Sequence, residues 1–306
     1  MAALKCIVHP DLVGAVSTAK ASPALQQLFM SLVGAIAYAL LTRIDTAVFV
    51  AALQRSTQDC DIIHVRRANA IVRWMQSTPK AISYKRLDTK SPMHLRCISD
   101  SAFKREEDSG HAIKGALFLR CSTQQNSDGS IKSCATKCHI LDYYCRKQRH
   151  VTRSTFGAEL FGACDGADQG MLLCQLLHEV QHGACSHASA RELREQGAWG
   201  TRMILAIDAM SVFAATTAGN VKEPAEKALY NHVLYLRELL DNDVLEAFWW
   251  IDTRDMAADG LTKGAVERTI LHLVMDGTLP MEHEAKVWRS KLAARAKQEK
   301  KQAPDK

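Results

Sequence analysis

Met203-Ile204-Leu205-Ala206-Ile207-Asp208 is a run of five apolar residues closed by a carboxylate. A short apolar run of this length suits a strand buried on both faces, which belongs in a sheet covered by helices. The acid is the informative part. A carboxylate pushed into a core without a partner costs on the order of several kcal/mol, so Asp208 needs either water or a cation at the strand end.

The pattern holds on either side of that strand. Before it, residues 154–181 have helical period, with Ser154 or Thr155 as a cap, and a short helix is expected over 189–196. After it come a helix over 225–241, with Leu229, Val233, Leu236 and Leu240 on one side, and an apolar, aromatic strand over 244–251. A mostly helical stretch follows over 256–275. Further upstream, 81–87, 95–99, 113–120 and 139–145 look extended, and a polar stretch over 122–137 with an Asp128-Gly129 turn signal separates the last two. Strands followed by alternating helix and strand imply an α/β architecture: a mixed sheet with helices on its faces.

Residues 24–76 are helical in period throughout. Phe29, Leu32, Val33, Ile36 and Leu40 form one face, a break follows at Arg43 and Asp45, and a helix with a basic side (Arg66, Arg67, Arg73) stops before Pro79. The apolar stretch 28–41 is shorter than the roughly 20 residues that span a bilayer, so a buried helix is expected and no membrane association.

The ten cysteines are scattered through a chain far longer than a disulfide miniprotein, and are read as reduced thiols of an intracellular protein. Cys134, Cys138, His139 and Cys145 are the only cluster resembling a zinc set, and their spacing fits neither a ribbon nor a knuckle. The formal charge is +6, and residues 284–306 hold eight Lys or Arg against three acids. A solvated basic tail is expected there, with a lesser expectation of electrostatic contact to nucleic acid.

Four acids stand at the junctions of these elements: Asp100 in CISDSAF, Glu159 in RSTFGAELF, Asp208 in MILAIDAMSVFAA and Asp259 in IDTRDMAADGLTKG. Taken singly, each would pass as a cap, a turn residue or a surface acid. Their order is what carries meaning, because it resembles the C-terminal part of copia-type retrotransposon polyproteins. Ser99-Asp100-Ser101 matches that family's Ser-Asp-Ala strand end, and Arg146-Lys147-Gln148, Val151, Ser154-Thr155 and Ala158-Glu159-Leu160 match its Lys-Lys-Gln…Glu-Ala-Glu run. Leu176-Leu177-His178-Glu179 matches the end of the family's helix, and Ile207-Asp208-Ala209-Met210-Ser211-Val212 is a looser match to Cys-Asp-Asn-x-Ser-Ala. The most specific match is Thr253-Arg254-Asp255-Met256-Ala257-Ala258-Asp259-Gly260-Leu261-Thr262-Lys263. At the front, Ser31-Leu32-Val33-Gly34-Ala35-Ile36-Ala37-Tyr38, Thr42-Arg43-Ile44-Asp45 and His64 with Ala70–Met75 resemble the family's link between polymerase and ribonuclease H, so the likeness spans about residues 28–265.

The resemblance implies a ribonuclease H-like fold: a mixed five-stranded sheet flanked by helices, preceded by a small helical segment. Residues 1–80 would be a remnant of reverse transcriptase thumb or connection, 81–280 the ribonuclease unit and 281–306 a basic tail. The front helices would then pack on one another or on an absent polymerase, not on the sheet, leaving part of the Phe29–Leu32–Ile36 face as an exposed apolar patch. Asp100, Glu159, Asp208 and Asp259 would be the catalytic and metal-binding residues. Asp100 would bridge two Mg²⁺ ions (Mn²⁺ a substitute), Glu159 and Asp208 would complete one site, and Asp259 the other. The implied substrate is the RNA strand of an RNA–DNA hybrid, the implied further partner a reverse transcriptase polymerase domain, and the implied location a cytoplasmic particle or the nucleus. The departures are Asp100-Ser101-Ala102-Phe103, which lacks a nearby second acid of the family, and Lys227-Ala228-Leu229-Tyr230, which replaces a Lys-His-Ile-Asp run. They keep open a remnant without catalysis that binds nucleic acid or a polymerase. A DNA-cutting nuclease of the same fold is the third reading.

Overall fold

The computed structural model describes residues 4–87, 93–103, 111–122, 136–221 and 224–291. The tip of the expected 122–137 hairpin and the tail beyond 291 lie outside them. The chain opens with three helices, α1 (Pro23–Ala39), α2 (Ala47–Gln54) and α3 (Ile62–Ser77). α1 starts at Ser22, whose hydroxyl accepts the Leu25 N–H, with Pro23 in its first turn. α3 starts with a reciprocal cap between Asp61 and His64.

Between them these helices bury Leu25, Phe29, Val33, Ile36, Val50, Leu53, Val65, Ala68, Val72 and Met75 in one cluster. The Phe29–Leu32–Ile36 face, expected to remain an exposed patch awaiting a partner, is closed over: Phe29 and Ile36 are fully buried. α3 supplies the cover, because Val65, Ala68, Val72 and Met75 present a matching apolar face. The helices also touch the sheet unit, contrary to expectation. Ile44 and Ala47 join the cluster under the sheet, and α2 lies against its third strand.

The break expected at Arg43 and Asp45 is a buried ion pair at this junction. Arg43 Nε and Nη2 donate to the two carboxylate oxygens of Asp45, each at 3.0 Å, with both side chains fully buried. Arg43 Nη1 reaches the Met75 carbonyl, His272 Nε2 lies 3.1 Å from Asp45 Oδ2, and Arg268 Nε donates to the Asp45 carbonyl.

The sheet follows. β1 (Met93–Ala102), β2 (Ile113–Ser122) and β3 (Thr136–Lys147) form an antiparallel meander. Then come α4 (Thr155–His182), α5 (His187–Gln196), β4 (Arg202–Ile207), α6 (Met210–Thr217), α7 (Tyr230–Asp241), β5 (Ala247–Ile251), α8 (Asp259–Thr262) and α9 (Thr269–Met275). Two short strands, β6 (Thr278–Leu279) and β7 (Ala285–Trp288), end the described chain. The spatial order is β6-β3-β2-β1-β4-β5-β7, with β1, β4 and β5 mutually parallel. The inner five strands are the expected ribonuclease H-like sheet, and β6 and β7 extend its edges.

Several elements differ from the sequence reading. Residues 81–87 are not a strand; this segment runs as coil, tied by Ser83 N–H to the Met275 carbonyl. The helix expected from 225 begins at Tyr230 after a single 3₁₀ turn. The stretch 256–275 is two helices separated by a non-helical link, with Arg268 holding the carbonyls of Lys263, Gly264 and Val266.

Helices cover both faces. Leu95, Cys97, Leu160, Ala163, Leu205, Val233, Leu236 and Phe248 pack on one side, and Ile98, Leu117, Ile204, Trp249, Leu261 and Leu271 on the other. α4 lies close to β1 because Gly162, Gly166 and Gly170 face the sheet. A Cβ on Gly166 would sit 2.9 Å from Cys97 Sγ, and one on Gly162 or Gly170 would overlap Ser101 or Met203. Gly166→Val is therefore expected to destabilise the fold by about 1–3 kcal/mol through overpacking. Urea unfolding would check it; a loss below the error of the fit would mean that α4 has room to spare.

Candidate active site

Asp100 and Asp208 come to one end of the sheet because β1 and β4 are parallel neighbours, with Ile98 in register with Ala206. Asp208 follows the last residue of β4. Asp100 lies inside β1, two residues before its end, and is fully buried. Glu159 enters from the first turns of α4, which the glycine stripe holds against β1. Ligand oxygens of Asp100, Glu159 and Asp208 all lie within 4.8 Å of one another.

Asp259, at the start of α8, joins through Lys263. The Lys263 ammonium is 2.6 Å from Asp259 Oδ1 and 3.3 Å from Asp100 Oδ1. Thr262 donates its hydroxyl to Asp100 Oδ2. α8 can reach this close only because Gly115, paired with Asp100 across the β1–β2 ladder, has no side chain: a Cβ there would lie 2.8 Å from both Leu261 Cβ and Thr262 Cγ2. Thr253 donates to Asp208 Oδ2 at 2.9 Å, and the Trp250 indole N–H to the Asp208 carbonyl. All four sequence-selected acids thus sit at one end of the sheet, three of them in mutual contact range. Thr253, Thr262, Lys263 and Gly115 were not singled out from sequence. Thr262 and Lys263 stood in the quoted Leu-Thr-Lys ending, and that ending was their only signal.

The electrostatics follow from crowding. Burial, with the Asp100 and Asp208 carboxylates close by, pushes Glu159 up to about 9, against a pull downwards from Lys263 and from the Ser101 N–H. Burial and Asp100 raise Asp259 to about 7, with Lys263 again opposing. Burial and Asp100 also raise Asp208, while the Thr253 bond and Lys263 lower it. Burial lowers the Lys263 ammonium, but Asp100, Asp259 and Asp208 outweigh it and hold the group protonated. One ammonium cannot balance four carboxylates, so the cluster is short of positive charge.

The donor set is all hard oxygen, which suits Mg²⁺ or Mn²⁺ rather than a thiolate-seeking ion. Among the described residues this triad is the one group of His, Cys, Asp or Glu with metal-ligand proximity. Cys138 is buried in the sheet and Cys145 half-buried, while Cys134 lies outside the described residues.

A pH dependence follows. Glu159 in the folded chain keeps a proton up to about 9, whereas an ordinary glutamate loses it near 4.5. Its contribution is fully present below the ordinary value and is lost as pH rises through about 9, with Asp259 adding a loss through about 7. In chelator, the melting temperature is expected to fall from pH 6 to pH 9, and Glu159→Gln to remove most of that slope. Identical slopes in the two proteins would refute the assignment.

No family model and no curated protein matches the chain. Among solved structures, it is similar to the N-terminal RNase H domain of Rv2228c from Mycobacterium tuberculosis, studied as a fusion with maltose-binding protein. The identity is 18%, the match covers 56% of this chain and 93% of that chain, and the TM-score is 0.31. With so low a score, the fold assignment rests on strand order and helix placement: an α/β, ribonuclease H-like mixed sheet flanked by helices.

Proposed function

We propose that this chain is a retroelement-derived ribonuclease H of the copia type, hydrolysing the RNA strand of RNA–DNA hybrids. The observation that carries the reading is the convergence of Asp100, Glu159 and Asp208, with Asp259 sharing Lys263 with Asp100, at the end of parallel strands β1 and β4. In this reading residues 1–80 are the connection remnant, 81–280 the ribonuclease unit and 281–306 the basic tail.

Asp100, Glu159, Asp208 and Asp259 would hold two Mg²⁺ ions. The chemistry such ions would supply is activation of a water and neutralisation of charge on the leaving oxygen. The chain's own residues do the positioning. Thr253 fixes the Asp208 carboxylate and Thr262 fixes Asp100. The Ser101 N–H turns Glu159 towards the cluster, and the Lys263 ammonium keeps Asp259 beside Asp100. The 2′-hydroxyls distinguish the RNA strand.

The test is to offer the purified chain end-labelled RNA, DNA duplex and RNA–DNA hybrid, with Mg²⁺ and with chelator. Cutting of the RNA strand of the hybrid alone, and only with Mg²⁺, is expected. Cutting of DNA duplex would favour the DNA-nuclease reading, and binding of the hybrid without cutting would favour the remnant.

A further inference from the structure

A large cleft lies between the front helices and the sheet unit, away from the acidic cluster. It has a volume of about 1070 Å³. Helices α2 and α3 form one wall with Phe49, His64, Arg67 and Trp74, and the end of β3 and the link after α8 form the other with Lys147, Gly264 and Arg268. A second cavity continues it. Phe49, Arg55 and Gly264 line both, and the second ends on Ala102 and Thr262, the latter bonded to Asp100. The cleft therefore runs from the acidic cluster out along the front helices.

Its charge is the reverse of the cluster's. Among the described lining residues there are four Arg or Lys and one His, and no Asp or Glu. Arg67 and Lys147 are exposed and make no ion pair with a described residue. Arg268 is held in place by the carbonyls of Asp45, Lys263, Gly264 and Val266 and lies over the Phe49 ring at 4.4 Å. Carbonyl partners fix a guanidinium without cancelling its charge. One fixed and two exposed cations, with no acid among the described lining residues and the acidic cluster beyond the second cavity, match a polyanion laid along the cleft with its backbone charge outside the acidic site.

We propose that this cleft takes the sugar–phosphate backbone of one nucleic-acid strand as it leaves the acidic cluster, with Arg67, Lys147 and Arg268 on successive phosphates. The proposal rests on the nuclease reading for its direction, and it gives the front helices a substrate-holding role beside the sheet.

The experiment compares wild type with Arg67→Glu/Lys147→Glu, measuring anisotropy of a labelled RNA–DNA hybrid in chelator over a series of salt concentrations. Both positions are exposed, and an unchanged melting temperature would verify the fold. Affinity is expected to fall by about tenfold or more, and the slope of log affinity against log salt to flatten by about one for each cation lost. Arg67→Lys/Lys147→Arg should restore both. Unchanged affinity and slope in the reversed protein would overturn the proposal and leave the cleft to a protein segment instead. If wild type binds through these residues but never cuts, the cleft stands and the nuclease reading falls. If the reversed protein binds and cuts as wild type does, the cleft falls and the nuclease reading stands.

Discussion

Asp208→Asn is expected to lower hybrid cleavage by about 10³-fold or more while the protein stays folded. Asparagine has nearly the shape of aspartate and can still accept the Thr253 hydroxyl, so the loop after β4 should hold. What is lost is one anion from a set whose joint charge is the reason to bind a dication. Burial and Asp100 already raise the Asp208 carboxyl in the free chain, so removing it relieves repulsion. The mutant should therefore melt no lower than wild type in chelator, and should gain less from added Mg²⁺. Cleavage within a few-fold of wild type would mean either that Asp208 is not a ligand or that the activity belongs to a contaminant.

The largest stability effect is expected at the other end of the molecule's polar interior. Asp45→Ala should cost about 3–5 kcal/mol, because it leaves the fully buried Arg43 guanidinium with no carboxylate, held by the Met75 carbonyl and the face of the Trp74 ring. The damage would not stay local. Asp45 also meets His272 of α9, and its carbonyl takes Arg268, so the α1–α2 link, α3 and the sheet unit share this one point. Asp45→Asn keeps the shape and one acceptor and should cost less. A loss under about 1 kcal/mol for the alanine variant, read by urea unfolding, would show that the pair is dispensable.

These two residues mark what the sequence does and does not disclose. Asp208 is legible because it closes five apolar residues, a place where a carboxylate has no structural use. The same logic, with the order of the quoted motifs, selects Asp100, Glu159 and Asp259, and all four lie at one end of the sheet. Arg43 and Asp45 read as a helix stop, since charge after an apolar run ordinarily meets solvent. Only tertiary packing reveals that each buries the other.

The apolar face of α1 misled in the opposite sense: Phe29 and Ile36 look like an unfilled docking face until α3 is folded over them. Gly115 and the Gly162–Gly166–Gly170 stripe carry no local signal. Their role is the absence of a side chain at contacts distant in sequence, and those contacts set how near α8 and α4 come to Asp100. The missed strands β6 and β7 have two and four residues, too short for a period to register.

The proposed function requires the acidic cluster to bind divalent metal. Calorimetric titration of Mn²⁺ at pH 7, repeated in buffers of different ionisation heat, tests it most directly. Glu159 holds its proton up to about 9 and Asp259 is half-titrated near 7, so a dication entering the cluster must displace protons. Binding with net proton release is expected in wild type, with less release in Glu159→Gln and weaker binding in Asp208→Asn. Absence of binding at millimolar Mn²⁺, or binding that neither releases protons nor responds to these two substitutions, would contradict it.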